Sequence, residues 1–402
     1  MEFLSAAVER VKPSATVAVA SKVAEMKKAG KSVISLGAGE PDFDTPAHIV
    51  EAAHQAMLAG KTRYCPAPGI AEFREAIAAK FQRDNNLTYT PEQITVGCGG
   101  KQIIFNAALA TLNAGDEVII PSPYWVSYPD IVAFTGATPV IVPCSAAQGY
   151  RLQPEDLAAA ITPNTKWFIL NSPSNPTGVC YSKDELLAFA EVLQRPENQH
   201  VWVMSDDIYE YIVYDDFAFY TIAELAPALR ERTLILNGLS KAYCMTGWRL
   251  GYAAGPLPLI KAMNKIQSQS ASSVSTFSQW ASVAALEGDH GFIAEHNTAF
   301  VARRDLVVAG INAIEGLSCP KPEGAFYVYV DCAGLIGKTT PKGTVIENDE
   351  MLMGYLLEAE NVVCVHGEAF GQSPAFRISY ATSTENLESA LASMERAFSA
   401  LG

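Results

Sequence analysis

No stretch of this chain reaches about 18 uncharged apolar residues, and its start, MEFLSAAVERVKPSATVAVA, has no basic segment followed by an apolar core. Neither a membrane-spanning helix nor an export signal is therefore expected, and the reading is a soluble, cytoplasmic protein with no membrane partner. Positive charge is scarce. Lys and Arg number 29 against 43 Asp and Glu, a formal net charge of -14, which speaks against a surface that tracks nucleic acid. The eight cysteines, at 65, 98, 144, 180, 244, 319, 332 and 364, include no C-x-x-C pair and read as free thiols of a reducing compartment. Of the six histidines, His48 and His54 lie six apart, as do His290 and His296, which sets neither pair on one helix face, so no metal site is expected. Neither G-x-G-x-x-G nor G-x-x-x-x-G-K-[ST] occurs, which disfavours a nicotinamide-dependent oxidoreductase.

What is present is a 402-residue chain, half of it apolar or aromatic, with material for more than one domain. From residue 46 to about 290, short β-branched runs alternate with longer segments of 3.6-residue periodicity, the mark of helices packed on a mostly parallel sheet. Ile70, Phe73, Ile77 and Phe81 recur on one helix face. Thr90-Pro91 reads as a cap followed by a first helical residue, and Ser182 with Glu185 as a capping box. Seven strands are expected, at 93–96, 117–120, 139–142, 166–170, 201–204, 233–236 and 250–253. A long helix to Ile314 and strand-like segments at 324–331 and 376–380 suggest a smaller α+β domain. The first 45 residues should join it in space, their Pro and Gly content resisting regular structure. The expected division is an arm at 1–45, a large α/β domain at 46–295 and a small domain at 296–402.

Ligands of open parallel sheets sit beyond the carboxyl ends of the strands, so the residues that follow each strand matter most. NSPSNPTG places Asn171 and Asn175 there; SDDIYE places Asp206, Asp207 and Tyr209; NGLSKAYCMTGWRLG places Lys241 and Arg249. Turn chemistry alone accounts for an Asn or Asp after a strand. Lys241 is different: it stands between an apolar strand and Ala242, Tyr243 and Met245, where a solvated lysine has few neighbours of its own kind. A desolvated lysine has a lowered pKa and becomes a Schiff-base nucleophile. The segment EQITVGCGGKQIIF reads as a strand, Gly97 to Gly100, then a helix from about Lys101, whose free amides suit a phosphate, although a plain tight turn explains the glycines equally well. Arg249 could add a fork to the same anion, and Tyr124 and Trp125 a face for a flat ring.

These residues carry a resemblance. KPSATVAV, SLGAGEPDFDTP, GGKQ, SPYWVSYP, NSPSNPTG, SDDIYE, SKAYCMTGWRLGY and FRISYATS resemble, in order and end to end, the fold-type I (class-I) aminotransferases, specifically the prokaryotic aspartate type that includes bifunctional aspartate/prephenate enzymes. The resemblance implies a large pyridoxal 5'-phosphate domain with a seven-stranded, mostly parallel sheet. It implies that Lys241 holds the cofactor as a Schiff base and shuttles a proton, that Asp206 pairs with the pyridine nitrogen, and that Asn175 and Tyr209 bond the ring oxygen. Gly99, Gly100, Lys101 and Arg249 would hold the phosphate and Trp125 cover the ring. Tyr64 would reach the cofactor of a second subunit, which implies a homodimer with shared sites. Arg377 would take the substrate α-carboxylate with Gly39 nearby; on FRISY it faces away from Phe376, Ile378 and Tyr380, so an exposed arginine on a half-buried strand is the alternative.

Substrate choice depends on a second cation, for which Lys101 and Lys12 are the candidates, with Ser14 and Thr16 as hydroxyl donors. The implied reaction transfers the amino group of aspartate to 2-oxoglutarate, or to prephenate, in ping-pong fashion through one site. Other readings are an aminotransferase for neutral or aromatic amino acids, a carbon-sulfur lyase on the same fold, or a non-catalytic cofactor-binding module. Three positions depart from the family's usual residues: Cys65, Asp207 and Gly238, the last expected to weaken a phosphate contact.

Overall fold

The computed structural model describes residues 3–402. Twelve strands run in chain order: β1 (Ile34–Ser35), β2 (Ile94–Gly97), β3 (Glu117–Ser122), β4 (Thr138–Pro143), β5 (Thr165–Asn171), β6 (Trp202–Asp206), β7 (Thr233–Gly238), β8 (Gly251–Ala254), β9 (Tyr327–Asp331), β10 (Val362–Val363), β11 (Val365–His366) and β12 (Ala375–Ser379). The seven strands expected from β-branched runs form one sheet, β2-β8-β7-β6-β5-β3-β4, within a residue or two of the expected bounds. All its pairings are parallel except those of β8 with β2 and β7.

Alternation explains why both faces of this sheet are dry. On β5, Trp167 and Ile169 join Val118, Ile120 and Leu236 on one side, whereas Phe168 and Leu170 join Ile119 and Val203 on the other. Helices Gly100–Thr111 and Leu257–Ser270 cover the first side and helix Lys183–Leu193 the second. The last begins at the expected capping box, with the Glu185 amide donating to Ser182 Oγ at 3.3 Å. Truncating a side chain as enclosed as Phe168 to alanine would cost about 3–5 kcal/mol.

The remaining strands form two small sheets: antiparallel β11-β12-β9, and β1 paired in parallel with β10. Helix Gly291–Ala313 runs through residue 295 without a break.

One expectation fails. The start of the chain is not irregular: Ala15–Lys28 is a 14-residue helix. Its prolines and glycines lie outside that span, Pro13 before it and Gly30 after it at φ 79°, so they delimit the helix rather than break it.

Candidate active site

Because β3, β5, β6 and β7 run the same way, the residues at and beyond their ends meet at one edge, and antiparallel β8 brings there Arg249, two residues before it. A cavity of about 850 Å3 opens at this edge, lined also by helix Ala15–Lys28, β9 and β12. Lys27, Lys101, Lys241, Arg249 and Arg377 line it, five cations against the two carboxylates Glu40 and Asp206. In a chain of net charge -14 this is a local inversion of sign, suited to an anionic ligand.

Lys241 follows β7, and its Nζ donates to the Gly39 carbonyl at 2.6 Å. What area it leaves exposed opens into the cavity. Desolvation, with Arg377 adding repulsion, lowers its pKa to about 8. Asp206, at the end of β6, is buried, and desolvation raises its carboxyl to about 6 against the downward pull of two hydrogen bonds. Tyr128 Oη donates to its Oδ2 at 2.6 Å and the Ile208 amide to its Oδ1 at 3.3 Å. The Asp206 carbonyl accepts from Asn171 Nδ2 at 2.9 Å, and Asn171 Oδ1 accepts from the Asn175 amide at 2.9 Å, so neighbouring strand ends hold each other. Behind this loop a buried cluster anchors it to helix Ala71–Asn85: Lys80 is paired with Glu210 and donates to Asn85 Oδ1 at 2.7 Å.

Arg377 is 1% exposed, which removes the alternative of a surface arginine on β12. Its Nη1 donates to Asn175 Oδ1 at 2.9 Å and its Nη2 to the Gly37 carbonyl at 2.7 Å, while its buried Nε lacks a partner among the described residues. A buried donor without an acceptor costs about 1–3 kcal/mol, which an arriving carboxylate would relieve.

At the other end, the first amides of helix Gly100–Thr111 have no acceptor within the helix and face the cavity beside Arg249. Gly99, at φ 77°, is needed there: a Cβ would stand 2.5 Å from Arg249 Nη2. Trp125 lines the cavity, and Lys101 Nζ lies 5.1 Å from its ring centroid. Lys101 has its pKa lowered by desolvation and then by Arg249.

Of the expected site residues, Gly39, Gly100, Lys101, Trp125, Asn175, Asp206, Tyr209, Lys241, Arg249 and Arg377 converge on this cavity, and Gly99 backs Arg249. Two do not. Tyr64 is 94% exposed on the surface. Lys12 is exposed and absent from the lining, because its segment is tied to the outside of helix Ser127–Thr135: its amide donates to Asp130 Oδ1 at 3.2 Å, and Arg10 donates to the carbonyls of Ala133 and Phe134. Lys27 and Thr16 of the neighbouring helix line the cavity instead. Gly238 ends β7 and is not among the lining residues; a Cβ there would meet the side chain of the cavity-lining Ile208 at 3.0 Å and the backbone of Leu250 and Gly251 at 3.0 and 3.1 Å, so a larger residue would strain this corner of the sheet. Sequence reasoning also passed over Tyr128, although SPYWVSYP contains it, and Tyr327, which alternates with core residues on β9 and carries no distinguishing signal.

The residues present fit a phosphate-bearing aromatic aldehyde: an amine with lowered pKa, a buried carboxylate, free helix amides beside an arginine, and an indole face. The family profile described as aminotransferase class I and II matches residues 31–394. A probable aspartate/prephenate aminotransferase of Rhizobium leguminosarum bv. phaseoli is 57% identical over 98% of both chains. An aspartate/prephenate aminotransferase of Cereibacter sphaeroides is equally similar over the same shares. Among solved structures, the aspartate aminotransferase of Rhizobium meliloti superposes with a TM-score of 0.95 at 52% identity, covering 99% of each chain. That of Thermus thermophilus, solved with maleate, gives 0.91 at 44%, covering 98% of this chain and 99% of its own.

Proposed function

This chain belongs to the class I and II aminotransferases, and on that premise we propose that it transfers the amino group of L-aspartate to 2-oxoglutarate, releasing oxaloacetate and L-glutamate, with prephenate as a further acceptor giving arogenate. It is a pyridoxal 5'-phosphate-dependent transaminase. The observation that carries the substrate reading is the placing of two cations, Arg377 on β12 and Lys101 on helix Gly100–Thr111, around the same cavity as Lys241. A dicarboxylate engages both, whereas a neutral amino acid leaves the solvent-accessible Lys101 without a carboxylate partner.

Bound here, pyridoxal phosphate supplies an electron sink that eases loss of the substrate α-proton. Lys241 Nζ moves that proton, for which it must be neutral part of the time; burial and Arg377 make it so by bringing its pKa to about 8. Asp206 would pair with the pyridine nitrogen, and its bond from Tyr128 favours the ionised carboxylate. Tyr209 and Asn175 would donate to the ring oxygen, Asn175 having committed its Oδ1 to Arg377 and kept its Nδ2 protons. The amides of Gly100 and Lys101 with Arg249 would hold the phosphate, and Trp125 would shield the ring.

Exposed Tyr64 serves a second copy of the chain, so the working unit is a homodimer with shared sites. Residues 46–295 form the cofactor-binding part, and 1–45 with 296–402 close over it to exclude water. All eight cysteines are free, which suits the cytoplasm, and no helix among the described residues is long and apolar enough to cross a membrane.

The test is product formation by the purified protein with pyridoxal phosphate. Oxaloacetate from aspartate, dependent on 2-oxoglutarate, and arogenate when prephenate replaces it, are expected. Faster turnover of alanine or phenylalanine than of aspartate would overturn the substrate reading, and release of sulfide or ammonia without a keto acid would indicate a lyase.

A further inference from the structure

We propose that Tyr327 is a positioning residue that couples the carboxylate-binding arginine to the cofactor-facing phenol. Its ring lies under the Arg377 guanidinium, centroid to Cζ 4.5 Å, and its hydroxyl is 2.9 Å from that of Tyr209. The inference rests on the reading above, in which Tyr209 donates to the ring oxygen and Arg377 receives the substrate carboxylate.

The two contacts come from opposite sides of the cavity. Tyr327 and Arg377 belong to neighbouring strands: Tyr327 pairs with Ser379 and Arg377 with Tyr329, so Tyr327 and Arg377 are diagonal neighbours, within reach of long side chains. Phe370, 5.0 Å away, gives the guanidinium a second aromatic ring. Desolvated stacking of this kind fixes the plane of the guanidinium. Tyr209 instead follows β6 in the large sheet. Both tyrosines are buried, each at most 2% exposed, so the bond between their hydroxyls is shielded from water. Gly39 adds a close fit, since a Cβ there would stand 3.1 Å from the Tyr327 hydroxyl. When Tyr209 donates to the cofactor, Tyr327 must donate to Tyr209, and a donor chain of this sense strengthens its last member.

Two variants separate ring from hydroxyl. Tyr327→Phe keeps the ring under Arg377 and removes the donor to Tyr209. More negative charge then stays on the cofactor oxygen, and the nitrogen of Lys241 holds its proton to higher pH. Tyr327→Leu removes both. On the holoenzyme, the pH midpoint of the bound cofactor's absorbance is measured, together with the dissociation constant of maleate. For Tyr327→Phe an upward shift of about half to one pH unit is expected, with maleate affinity within about twofold of the parent. Tyr327→Leu should show a similar shift and bind maleate roughly tenfold more weakly. Unchanged midpoint and affinity in both variants, or a lower thermal midpoint as the sole change, would overturn the proposal. If Tyr327→Leu does not fold, the Phe variant still decides, because an unmoved midpoint there removes the coupling. A parent protein that takes up no cofactor would sink the reading of the site itself, a different result from a parent that binds cofactor and variants that titrate as it does.

Discussion

The two walls of the cavity are built by different rules. On the wall of the seven-stranded sheet, the functional groups stand at or just past the strand ends: Asn171 and Asn175 at and after β5, Asp206 and Tyr209 at and after β6, Lys241 after β7. On the opposite wall, Arg377 and Tyr327 stand within strands and face inward from a small antiparallel sheet. A strand end frees a side chain from the period-2 pattern of the core, so chemistry placed there stands out. A residue inside a strand is one member of an alternation, and only its neighbours in space show whether it meets core, solvent or ligand.

The largest effect should come from the first wall. Lys241→Ala removes the amine that moves the proton, and turnover should fall by about 10^3-fold or more in single-turnover assays with aspartate, while the fold is retained. If only substrate affinity changed, the strand-end wall would not be the reacting one. Breaking the second wall with Arg377→Leu should lower kcat/KM for aspartate about 10^2- to 10^3-fold and leave cofactor affinity near that of the parent. Equal losses in both would mean that the walls do not divide the work. Tyr128→Phe sharpens the first wall from behind. It removes a bond that lowers the Asp206 pKa, so the acid limb of the pH–rate profile should move upward by about one unit, and an unmoved limb would separate Tyr128 from the chemistry.

The smallest effect concerns the floor beneath that wall. Desolvation raises the buried Asp207 carboxyl from 3.8 to about 7, and its Oδ2 lacks a partner among the described residues. A folded-state pKa above the unfolded one gives stability that is fully present below pH 3.8 and lost as pH rises through about 7. Asp207→Asn should therefore be less sensitive to pH across that window than the parent by on the order of 4 kcal/mol, measured by denaturant unfolding. Equal slopes would place the charge of Asp207 in a better solvated setting than its burial suggests.

The same contrast explains what could be read from the sequence. The seven strands and the capping box at Ser182 were legible because β-branched runs and caps are local signals. Lys241 was legible because an amine in apolar company is out of place. Arg377 came from resemblance alone, its pattern fitting an exposed arginine as well as the buried one found. The position of Lys12 was not legible, because nothing local reports that Arg10 and Lys12 lie against the outer side of helix Ser127–Thr135 in this structure. Tyr327 stayed hidden because its partners lie 118 residues upstream, at Tyr209, and on β12.

The most direct test of the account is the absorbance of the cofactor-loaded protein before and after aspartate is added without any keto acid, with Lys241→Ala alongside. The account predicts that the parent spectrum converts to that of the aminated cofactor, returns when 2-oxoglutarate is added, and stays fixed in the variant. A parent spectrum that aspartate leaves unchanged, or a variant that converts as fast as the parent, would contradict it.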